Sequence, residues 1–251
     1  MNIDLISVLI LSYKNLKYFK DCLNSILMQN YENIEIVFSD DGTPNFNKTD
    51  ILDYINSHKG TNIKSVIINH NSSNLGIVKN YNRAIGLSKG KYIFYLGIDD
   101  MLWDEDTLTM VIKFFKETNC LICTGYRYIY DETMKKYKCT LPTCTESEYI
   151  KNKTPQELYD KLCEHNFIGG SATPFSRELI NKYGYLDESY VLLEDYPRYL
   201  YLTRKGCKIY FINRPLIKYR LGGITTTVNE RSEALKKDIR KMKKKEILPY
   251  R

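Results

Sequence analysis

The sequence lacks any apolar run that approaches the roughly 18 residues needed for a membrane-spanning helix. The stretch from Met1 to Ile10 also lacks the basic flank and the cleavage site of a secretory signal peptide. We therefore expect a cytoplasmic protein, whose contact with a membrane would be peripheral, at the inner face.

A disulfide framework is not expected either. The chain has seven cysteines, an odd number, and thiols stay reduced in the cytoplasm. Cys120, Cys123, Cys139 and Cys144 form two pairs that could in principle hold zinc. The first pair lies in a strand-like Cys-Leu-Ile-Cys, and a strand turns residues three apart to opposite faces. The cysteines are therefore expected to be small buried apolar residues.

Two common phosphate-binding motifs are also absent. No Gly-x-Gly-x-x-Gly follows the first predicted strand, which excludes the dinucleotide-binding class. No Gly-Lys-Ser/Thr loop occurs anywhere, which excludes P-loop nucleotide hydrolases. A glycine-rich, arginine-containing loop after the first strand is missing too, which argues against a sugar-nucleotide nucleotidyltransferase.

The chain of 251 residues, 43% of them hydrophobic, is long enough to bury one sizeable core. Apolar strand-like runs alternate with amphipathic helix patterns, as expected for a parallel sheet with right-handed crossovers. The predicted strands are Ile6–Leu11, Ile34–Phe38, Ile63–Ile68, Tyr92–Leu96 and Leu121–Tyr130, and the predicted helices are Leu16–Gln29, Asn47–His58, Leu102–Thr118, Ser176–Tyr183 and Glu230–Lys245.

Carboxylate pairs follow two of the predicted strands. Asp40 and Asp41 come after the second strand, and Asp99 and Asp100 come after the fourth. In an open α/β sheet the carboxyl ends of the strands form the ligand-binding edge. Adjacent carboxylates there are hard oxygen ligands suited to Mg²⁺ or Mn²⁺, so we predict a divalent-metal site that holds a diphosphate. Two alternatives remain open: a helix cap at the fourth strand, and hydrogen bonds to a base or ribose at the second.

Seven short motifs share their order and spacing with one known family: Ile6-Ser-Val-Leu-Ile-Leu-Ser-Tyr-Lys-Asn15, Val37-Phe-Ser-Asp-Asp-Gly-Thr43, Asn74-Leu-Gly-Ile-Val-Lys-Asn-Tyr-Asn82, Gly90-Lys-Tyr-Ile93, Leu96-Gly-Ile-Asp-Asp100, Gly184-Tyr-Leu-Asp-Glu188 and Glu194-Asp195. In these motifs the sequence resembles the family 2 glycosyltransferases over about residues 5–222. The resemblance implies one globular α/β domain of GT-A type, with a Rossmann-like, mostly parallel sheet flanked by helices. Residues 1–103 would form the nucleotide-sugar-binding half, 104–222 the acceptor-binding half, and 223–251 a basic C-terminal helix.

The resemblance also implies a nucleotide-diphosphate sugar donor, usually a UDP-sugar. Carried over by position, Ser12 and Tyr13 would line the nucleotide pocket. Asp41 would bind the base or ribose, with Asp40 beside it. Asn74 belongs to a segment that packs beside the donor, where a turn or helix start is an equally good explanation.

The metal motif departs from the usual family form. Asp99 and Asp100 match its second and third acids and would bind Mn²⁺ or Mg²⁺, with Asp99 also at the donor, but Gly97 stands where the first acid is common. Arg220 is the candidate cation for the diphosphate. The family often has a histidine two residues later, and Gly222 stands there instead.

A general base is expected in the second half. A sugar hydroxyl is a poor nucleophile, so a carboxylate must take its proton as the new bond forms. The resemblance assigns this role to Asp195, with Glu194 at the acceptor and inversion of the anomeric centre. The residues alone allow a second interpretation, in which the pair caps the helix that follows.

The acceptor site is expected to use the rest of that half. Gly170 and Ser171 lie in a glycine-containing turn that could approach a ligand closely. The polar span 131–153 is predicted to be a loop or lid. Three tyrosines alternate along one predicted strand, where either core packing or sugar stacking would explain them: Tyr126, Tyr128 and Tyr130.

The net charge of +7 is concentrated at the carboxyl end, where residues 229–251 hold nine basic and four acidic side chains. A basic helix there could contact an anionic membrane surface, or it could be a solvated terminal helix. Nucleic-acid binding is not expected, because the basic residues lie on no recognition module. The leading hypothesis is transfer of a sugar to a glycan or lipid-linked glycan, and the alternative is a noncatalytic glycan-binding relative.

Overall fold

The computed structural model describes residues 3–222 and 233–251. Its strands are β1 (Ile6–Ser12), β2 (Ile34–Asp40), β3 (Ile63–His70), β4 (Tyr92–Gly97), β5 (Met101–Leu102), β6 (Cys123–Tyr130), β7 (Tyr137–Leu141), β8 (Phe175–Ser176) and β9 (Tyr210–Arg220). Its α-helices are α1 (Phe19–Leu27), α2 (Lys48–His58), α3 (Ile77–Leu87), α4 (Thr107–Thr118), α5 (Cys144–Asn152), α6 (Pro155–Leu162), α7 (Arg177–Tyr183), α8 (Tyr196–Arg204) and α9 (Glu233–Met242).

A five-stranded sheet in the order β3-β2-β1-β4-β8 lies at the centre. Its first four strands are parallel, and β8 is antiparallel to β4. The middle strand β1 is buried on both faces: Ile6, Val8 and Ile10 belong to one apolar cluster, and Leu9 and Leu11 to the other. Helices α1, α2 and α4 pack in the first cluster, and α3, α6, α7 and α8 in the second. The predicted single α/β domain with a mostly parallel sheet is confirmed.

A second, four-stranded sheet in the order β5-β9-β6-β7 follows the metal motif. The helix predicted from Leu102 begins only at Thr107, because β5 pairs with β9 immediately after the strand end. The N-cap of that helix is Asp106. The alternative in which Asp99 or Asp100 caps the helix is therefore wrong.

The span 131–153 is ordered rather than a loop, so this prediction is wrong. It contains β7, an exposed edge strand antiparallel to β6, and helix α5. The edge strand has no buried face, which is why hydrophobic alternation did not indicate it. The helix begins with a capping box, in which Thr143 Oγ1 accepts from the Glu146 N–H at 3.3 Å and the Glu146 carboxylate accepts from the Thr143 N–H at 2.7 Å.

All seven cysteines are free thiols. Five are buried as predicted, but Cys139 in β7 and Cys144 at the start of α5 are exposed. Among the alternating tyrosines, Tyr126 hydrogen-bonds to Ser147 at 2.9 Å through its hydroxyl, and the Tyr128 ring centroid lies 4.6 Å from that of Trp103. These two tyrosines thus take part in packing within the second half of the chain.

The C-terminal segment packs against the domain. Met242 and Ile247 join the apolar cluster that contains α8, and Leu235 is buried as well. The predicted helix start at Glu230 lies outside the described residues. After α9 the chain continues as a π-helical turn (Lys243–Ile247) and a 3-10 turn (Leu248–Tyr250).

No helix in the described ranges is long and apolar enough to cross a membrane. The exposed basic residues of the C-terminal segment are Lys236, Lys237, Arg240, Lys243, Lys244, Lys245 and Arg251.

Candidate active site

The strand registers bring the predicted donor residues together at the carboxyl edge of the central sheet. Ser12 lies opposite Asp40, which lies opposite His70 on the next strand. On the other side of β1, Leu11 lies opposite Gly97 at the end of β4. The two carboxylate motifs therefore flank the same central strand, where the strand order reverses direction.

Asp40 is fully buried and bonded within the protein. Its carboxylate accepts hydrogen bonds from Ser12 Oγ at 2.9 Å, from the Thr43 N–H and hydroxyl at 2.8 and 2.6 Å, and from His70 Nδ1 at 2.8 Å. These bonds commit the Ser12 hydroxyl to Asp40. The structure therefore places Asp40 as a support of the strand end rather than as a free ligand group.

Asp41 holds the following loop against the sheet edge. It accepts hydrogen bonds from Asn71 Nδ2 at 3.0 Å and from the N–H groups of Leu75 and Gly76, both at 2.9 Å. Gly76 has φ +88°, and a Cβ there would lie 2.6 Å from Val191. Since a carboxylate has about four lone-pair positions, one remains on Asp41 for a ligand.

Tyr13 and Asn74 lie beside each other above this loop. A hydrogen bond with Asn74, followed by one with Lys14, lowers the pKa of Tyr13. Asn74 Oδ1 also accepts from the Gly76 N–H at 2.9 Å, so Asn74 shapes the loop at the same time. Tyr13 is half-buried and Asn74 is exposed, so both side chains keep surface open to solvent.

The carboxylates of Asp99 and Asp100 converge over Gly97. A Cβ at Gly97 would lie 2.9 Å from Asp99 Oδ1 and 3.2 Å from Asp100 Oδ2. Burial raises the pKa of both carboxyls, and the charge of Asp99 raises that of Asp100 further. No third His, Cys, Asp or Glu joins them into a ligand cluster within the described residues. Two carboxylates suit Mg²⁺ or Mn²⁺, which commonly takes its remaining ligands from substrate phosphates and water.

Arg220 is 3% exposed and is committed to protein partners. Its backbone N–H donates to Asp100 at 3.1 Å. Its guanidinium donates to the Asp99 carbonyl at 3.0 Å, the Glu132 carbonyl at 2.5 Å and the Asp21 carboxylate at 2.8 Å. Arg220 therefore holds the metal motif against β9 and α1. Its contact with a diphosphate stays a prediction.

One 3-10 turn, Gly170–Ala172, connects the metal motif to the predicted base. Although burial dominates and raises both pKa values, a hydrogen bond from the Ser171 hydroxyl lowers the pKa of Asp100, and one from the Gly170 N–H lowers that of Asp195. Consecutive residues of one turn thus contact both carboxylates. Gly170 also lies close to Glu194, since a Cβ there would be 3.3 Å from its Oε1.

Arg127 is a site residue that the sequence analysis missed. Its guanidinium lies against Gly169, where a Cβ would come within 2.2 Å of it. Its positive charge lowers the pKa of both Asp100 and Asp195, against the larger effect of burial. Its Nε is buried without a hydrogen-bond partner among the described residues. The available signal in the sequence was that Arg127 is the one charged residue in an otherwise uncharged strand.

Glu194 and Asp195 lie at the start of α8. Asp195 is its N-cap, with Oδ1 accepting from the Tyr196 N–H at 2.5 Å, so the capping interpretation is confirmed for this residue. Asn166 Nδ2 lies 3.4 Å from the other oxygen, Oδ2. Burial, followed by the charge of Asp195, raises the pKa of Glu194 to about 8, and burial raises that of Asp195. Near neutral pH, Glu194 is therefore mostly protonated and can donate a hydrogen bond.

The pKa of Glu194 makes stability depend on pH. Because the folded protein binds this proton more tightly, the stabilisation is complete below the ordinary pKa of 4.5 and is lost as the pH rises through about 8. We expect Glu194→Gln to match the wild type near pH 4.5 and to exceed its unfolding free energy at pH 8 by about 4 kcal/mol, because one pKa unit corresponds to about 1.4 kcal/mol. Urea unfolding at both pH values measures this. A difference that does not change with pH, or one shared by the exposed control Glu178→Gln, would contradict it.

Asp238 in α9 is the second residue that the sequence analysis missed. It is 2% exposed, and its Oδ2 accepts hydrogen bonds from the N–H groups of Val191, Leu192 and Leu193 at 2.8, 2.7 and 3.2 Å. These three residues immediately precede Glu194. The C-terminal helix thus positions the backbone that leads into the predicted base. The signal was an acid among basic residues, on the apolar face of the predicted helix.

The fold and this carboxylate-lined edge define a glycosyltransferase of GT-A type. Residues 7–184 match the family model described as glycosyl transferase family 2, and the chain belongs to this family. Among solved structures, S. aureus TarS 1–349 in complex with UDP-GlcNAc has a TM-score of 0.69 at 16% identity, covering 95% of this chain and 65% of that one. A mannosyltransferase from Pyrobaculum calidifontis in complex with GDP-Man and Mn²⁺ has a TM-score of 0.60 at 15% identity, covering 86% and 56%. These two likenesses show the fold.

Similar curated sequences include an uncharacterised glycosyltransferase of Rickettsia prowazekii, 29% identical over 89% of this chain and 66% of that protein. The glycosyltransferase GlyG of Streptococcus pneumoniae is 28% identical over 86% of this chain and 71% of its own length. The chain thus spans about two thirds of the length of these relatives.

Proposed function

We propose that this protein is an inverting glycosyltransferase that moves a sugar from a nucleotide-diphosphate donor to a hydroxyl of a glycan or lipid-linked glycan. The observation that carries this proposal is the turn at Gly170 and Ser171, which lies next to both carboxylates: a Cβ on Gly170 would lie 3.5 Å from Asp195 Cβ, and Ser171 interacts with Asp100. A donor held at the metal motif and an acceptor hydroxyl at Asp195 would therefore meet across a single turn.

Donor binding is assigned to the edge between β2 and β1. Asp41 would accept hydrogen bonds from the base or ribose with its remaining lone pair, while Tyr13 and Asn74 line the exposed side. Asp40 and Ser12 would act by holding the strand ends in place. The UDP-GlcNAc bound to a protein of the same fold supports a UDP-sugar, and the GDP-Man bound to another makes GDP the necessary comparison.

Asp99 and Asp100 would hold Mg²⁺ or Mn²⁺ together with the donor diphosphate. The bound ion would neutralise negative charge on the leaving diphosphate. Burial raises the pKa of both carboxyls, and the charge of Asp99 raises that of Asp100 further, so a bound cation would stabilise both carboxylates. Arg220 would keep both acids in place through their backbone and side-chain contacts.

Asp195 would act as the general base. The Tyr196 N–H fixes one carboxylate oxygen, and the other faces Asn166 at 3.4 Å. The positive charge of Arg127 lowers the pKa of Asp195 against the larger effect of burial, and so favours the deprotonated form that a base requires. Glu194, protonated near neutral pH, would donate a hydrogen bond to an acceptor oxygen beside Gly170.

Turnover of donor tests the proposed activity. The protein is incubated with Mn²⁺ and a panel of UDP- and GDP-sugars, with and without glycan acceptors, and release of nucleoside diphosphate is measured. We expect release from at least one UDP-sugar, and release at least about a hundredfold slower after Asp195→Asn. Because Gly97 removes one acid from the usual motif, donor binding without release would instead favour the noncatalytic glycan-binding alternative.

Replacing Arg127 is expected to move the acid limb of the pH–rate profile. Arg127→Gln removes a positive charge that lowers the pKa of Asp195, so the base would take up its proton at higher pH. The midpoint of the acid limb should rise by about one pH unit. The exposed control Arg83→Gln should leave it unchanged. An unshifted profile in Arg127→Gln would remove Arg127 from the site.

The basic face of the C-terminal segment is proposed to contact an anionic membrane surface. Lys236, Lys237, Arg240, Lys243 and Lys244 are exposed, while the apolar face of the same segment packs on the domain. Contact would therefore be electrostatic, at about 1 kcal/mol for each basic residue near the surface. At low salt, the wild type should co-sediment with phosphatidylglycerol vesicles, and the double variant Lys243→Glu, Lys244→Glu should stay in the supernatant. If the wild type co-sediments equally well with neutral phosphatidylcholine vesicles, this proposal is contradicted.

A further inference from the structure

A network of polar side chains lies beneath the proposed donor edge. Asn80 on α3 is 2% exposed, and Asn71, which follows β3, is 5% exposed. Together with Ser39 on β2 and Asn69 on β3, they form what we call the polar network. An apolar side chain at Asn80 would avoid the cost of removing an amide from water. The network is therefore expected to do more than fill space between α3 and the sheet.

The polar network connects Asn80 to Asp41 through one intervening side chain. Asn80 Oδ1 accepts hydrogen bonds from Asn71 Nδ2 at 3.0 Å and from Ser39 Oγ at 2.6 Å. Asn71 Nδ2 also donates to Asp41 Oδ1 at 3.0 Å. An amide nitrogen carries two hydrogens, so Asn71 uses one on Asn80 and the other on Asp41. The position of the Asn71 amide therefore depends on both partners.

The orientation of each amide in the polar network is determined by its neighbours. The Ser39 carbonyl can only accept, so Asn80 turns its nitrogen towards that carbonyl, at 3.0 Å, and its oxygen towards Asn71. Asn71 must then present its nitrogen to Asn80, and the same nitrogen donates to Asp41. Asn69 Nδ2 donates to Asn71 Oδ1 at 2.9 Å, which supports the same orientation from the other side. Without Asn80, one hydrogen of the Asn71 amide loses its acceptor and the side chain is held less firmly.

The same helix also contacts Asp41 at its amino end. Gly76 is the N-cap of α3, and its N–H donates to Asp41 Oδ2 at 2.9 Å. Asp41 Oδ1 accepts from Asn71 and from the Leu75 N–H, whereas Oδ2 accepts from Gly76. The lone pair that remains for a ligand therefore lies on Oδ2. Its direction depends on the rotation of the carboxylate, which Asn71 and the two backbone N–H groups fix.

We propose that Asn80 is a positioning residue of the donor site, which acts through Asn71 to orient the Asp41 carboxylate towards the nucleoside. The inference rests on the proposed function, since it requires that Asp41 binds the base or ribose. Asn80 itself would not touch the donor, because it is 2% exposed and both its amide atoms bond within the protein. Its effect should be on nucleoside binding and not on the metal motif, which lies across β1 at the end of β4.

Calorimetric titration of the full chain in Mn²⁺, with UDP and separately with inorganic pyrophosphate, tests the proposal. Pyrophosphate has the two phosphates but no nucleoside, so it reports on the metal motif alone. We expect Asn80→Ala to weaken UDP binding about three- to tenfold, the effect of one neutral hydrogen bond, and to leave pyrophosphate binding unchanged. The matched control is Asn82→Ala, which removes another buried amide of α3, bonded to the Leu186 carbonyl at 2.9 Å and N–H at 3.0 Å. It should change neither affinity.

A double variant separates positioning through Asn71 from a general loss of packing. If Asn80 acts through Asn71, the double variant Asn71→Ala, Asn80→Ala should bind UDP as Asn71→Ala alone does. Losses of affinity that multiply would show that the two residues act independently. Urea unfolding is measured for every variant, because a buried amide also supports the fold. If Asn80→Ala does not fold, Asn80→Ser takes its place, since the shorter side chain removes the contact with Asn71 but keeps a polar group.

The outcomes separate this inference from the proposed function. Equal UDP affinity in the wild type and the folded Asn80 variant would overturn the inference and leave the proposed function intact. The same holds for an equal loss of UDP and pyrophosphate binding, and for losses that multiply in the double variant. A wild type that binds pyrophosphate but neither UDP nor GDP would reject the nucleoside site at Asp41, and with it both the proposed function and this inference.

Discussion

Replacing Asp195 with asparagine is expected to lower kcat by about 10²- to 10⁴-fold, the usual contribution of a general base. Asparagine keeps an oxygen that can accept the Tyr196 N–H at the helix N-cap, so the variant should fold as the wild type does. It cannot take a proton from an acceptor hydroxyl. Nucleotide binding should be unchanged, because the proposed donor residues lie at the edge of the central sheet whereas Asp195 lies at the start of α8. Transfer kinetics with the donor found in the turnover screen measure the loss.

The matched control is Asp160→Asn. Asp160 is an exposed carboxylate on α6 whose hydrogen bond comes from Gln156 at 3.0 Å, so its replacement should leave kcat unchanged. If Asp195→Asn keeps more than about a tenth of the wild-type kcat, Asp195 is not the base. Proton transfer would then have to be assigned to Glu194 or another group.

Replacing Asp238 with alanine is expected to cause the largest loss of stability. The change removes the acceptor of three backbone N–H groups, at Val191, Leu192 and Leu193. A hydrogen bond to a charged group contributes about 1.5 to 3 kcal/mol, so a loss of about 3 kcal/mol or more is expected. Urea unfolding measures it. Turnover should fall as well, since the released backbone leads directly into Glu194.

Asp238→Asn provides the matched control. All three N–H groups donate to the same oxygen, Oδ2, so one amide oxygen in its place can accept all of them. The asparagine variant should therefore recover most of the stability and turnover that alanine loses. Hydrogen exchange at the Val191–Leu193 amides should accelerate in the alanine variant alone. Equal stability of all three proteins would show that α9 does not position this backbone.

The four parallel strands of the central sheet could be predicted, because β1, β2 and most of β4 are buried on both faces and so form continuous apolar runs. The acids at the strand ends could be predicted for the same reason, because Asp40 and Asp99 follow apolar runs whose ends are easily located in the sequence. Elements with weak hydrophobic patterns could not be predicted. Strand β7 lies at an exposed sheet edge and shows no hydrophobic alternation, and β5 has only two residues, defined by pairing with β9.

The residues of the candidate site also differ in how far local sequence patterns predict them. The acidic residues lie in contiguous motifs, so their positions at strand and helix ends could be predicted from the local pattern. The contacts of Arg127, Arg220 and Asp238 join elements far apart in the chain, and no local pattern defines such a contact. Arg220 donates to Asp21 across 199 positions, and Asp238 accepts from Val191 across 47. For Arg220 these tertiary contacts show that the guanidinium holds the metal motif in place, while its contact with a diphosphate stays a prediction.

Calorimetric titration with UDP and with GDP tests the central claim most directly, each with Mn²⁺ and with EDTA, on the wild type and on Asp99→Ala. The account predicts that UDP binds in the presence of Mn²⁺, that EDTA abolishes the binding, and that Asp99→Ala loses it while remaining folded. If neither nucleotide binds to the folded wild type in any of these conditions, the donor site at the strand edge is contradicted.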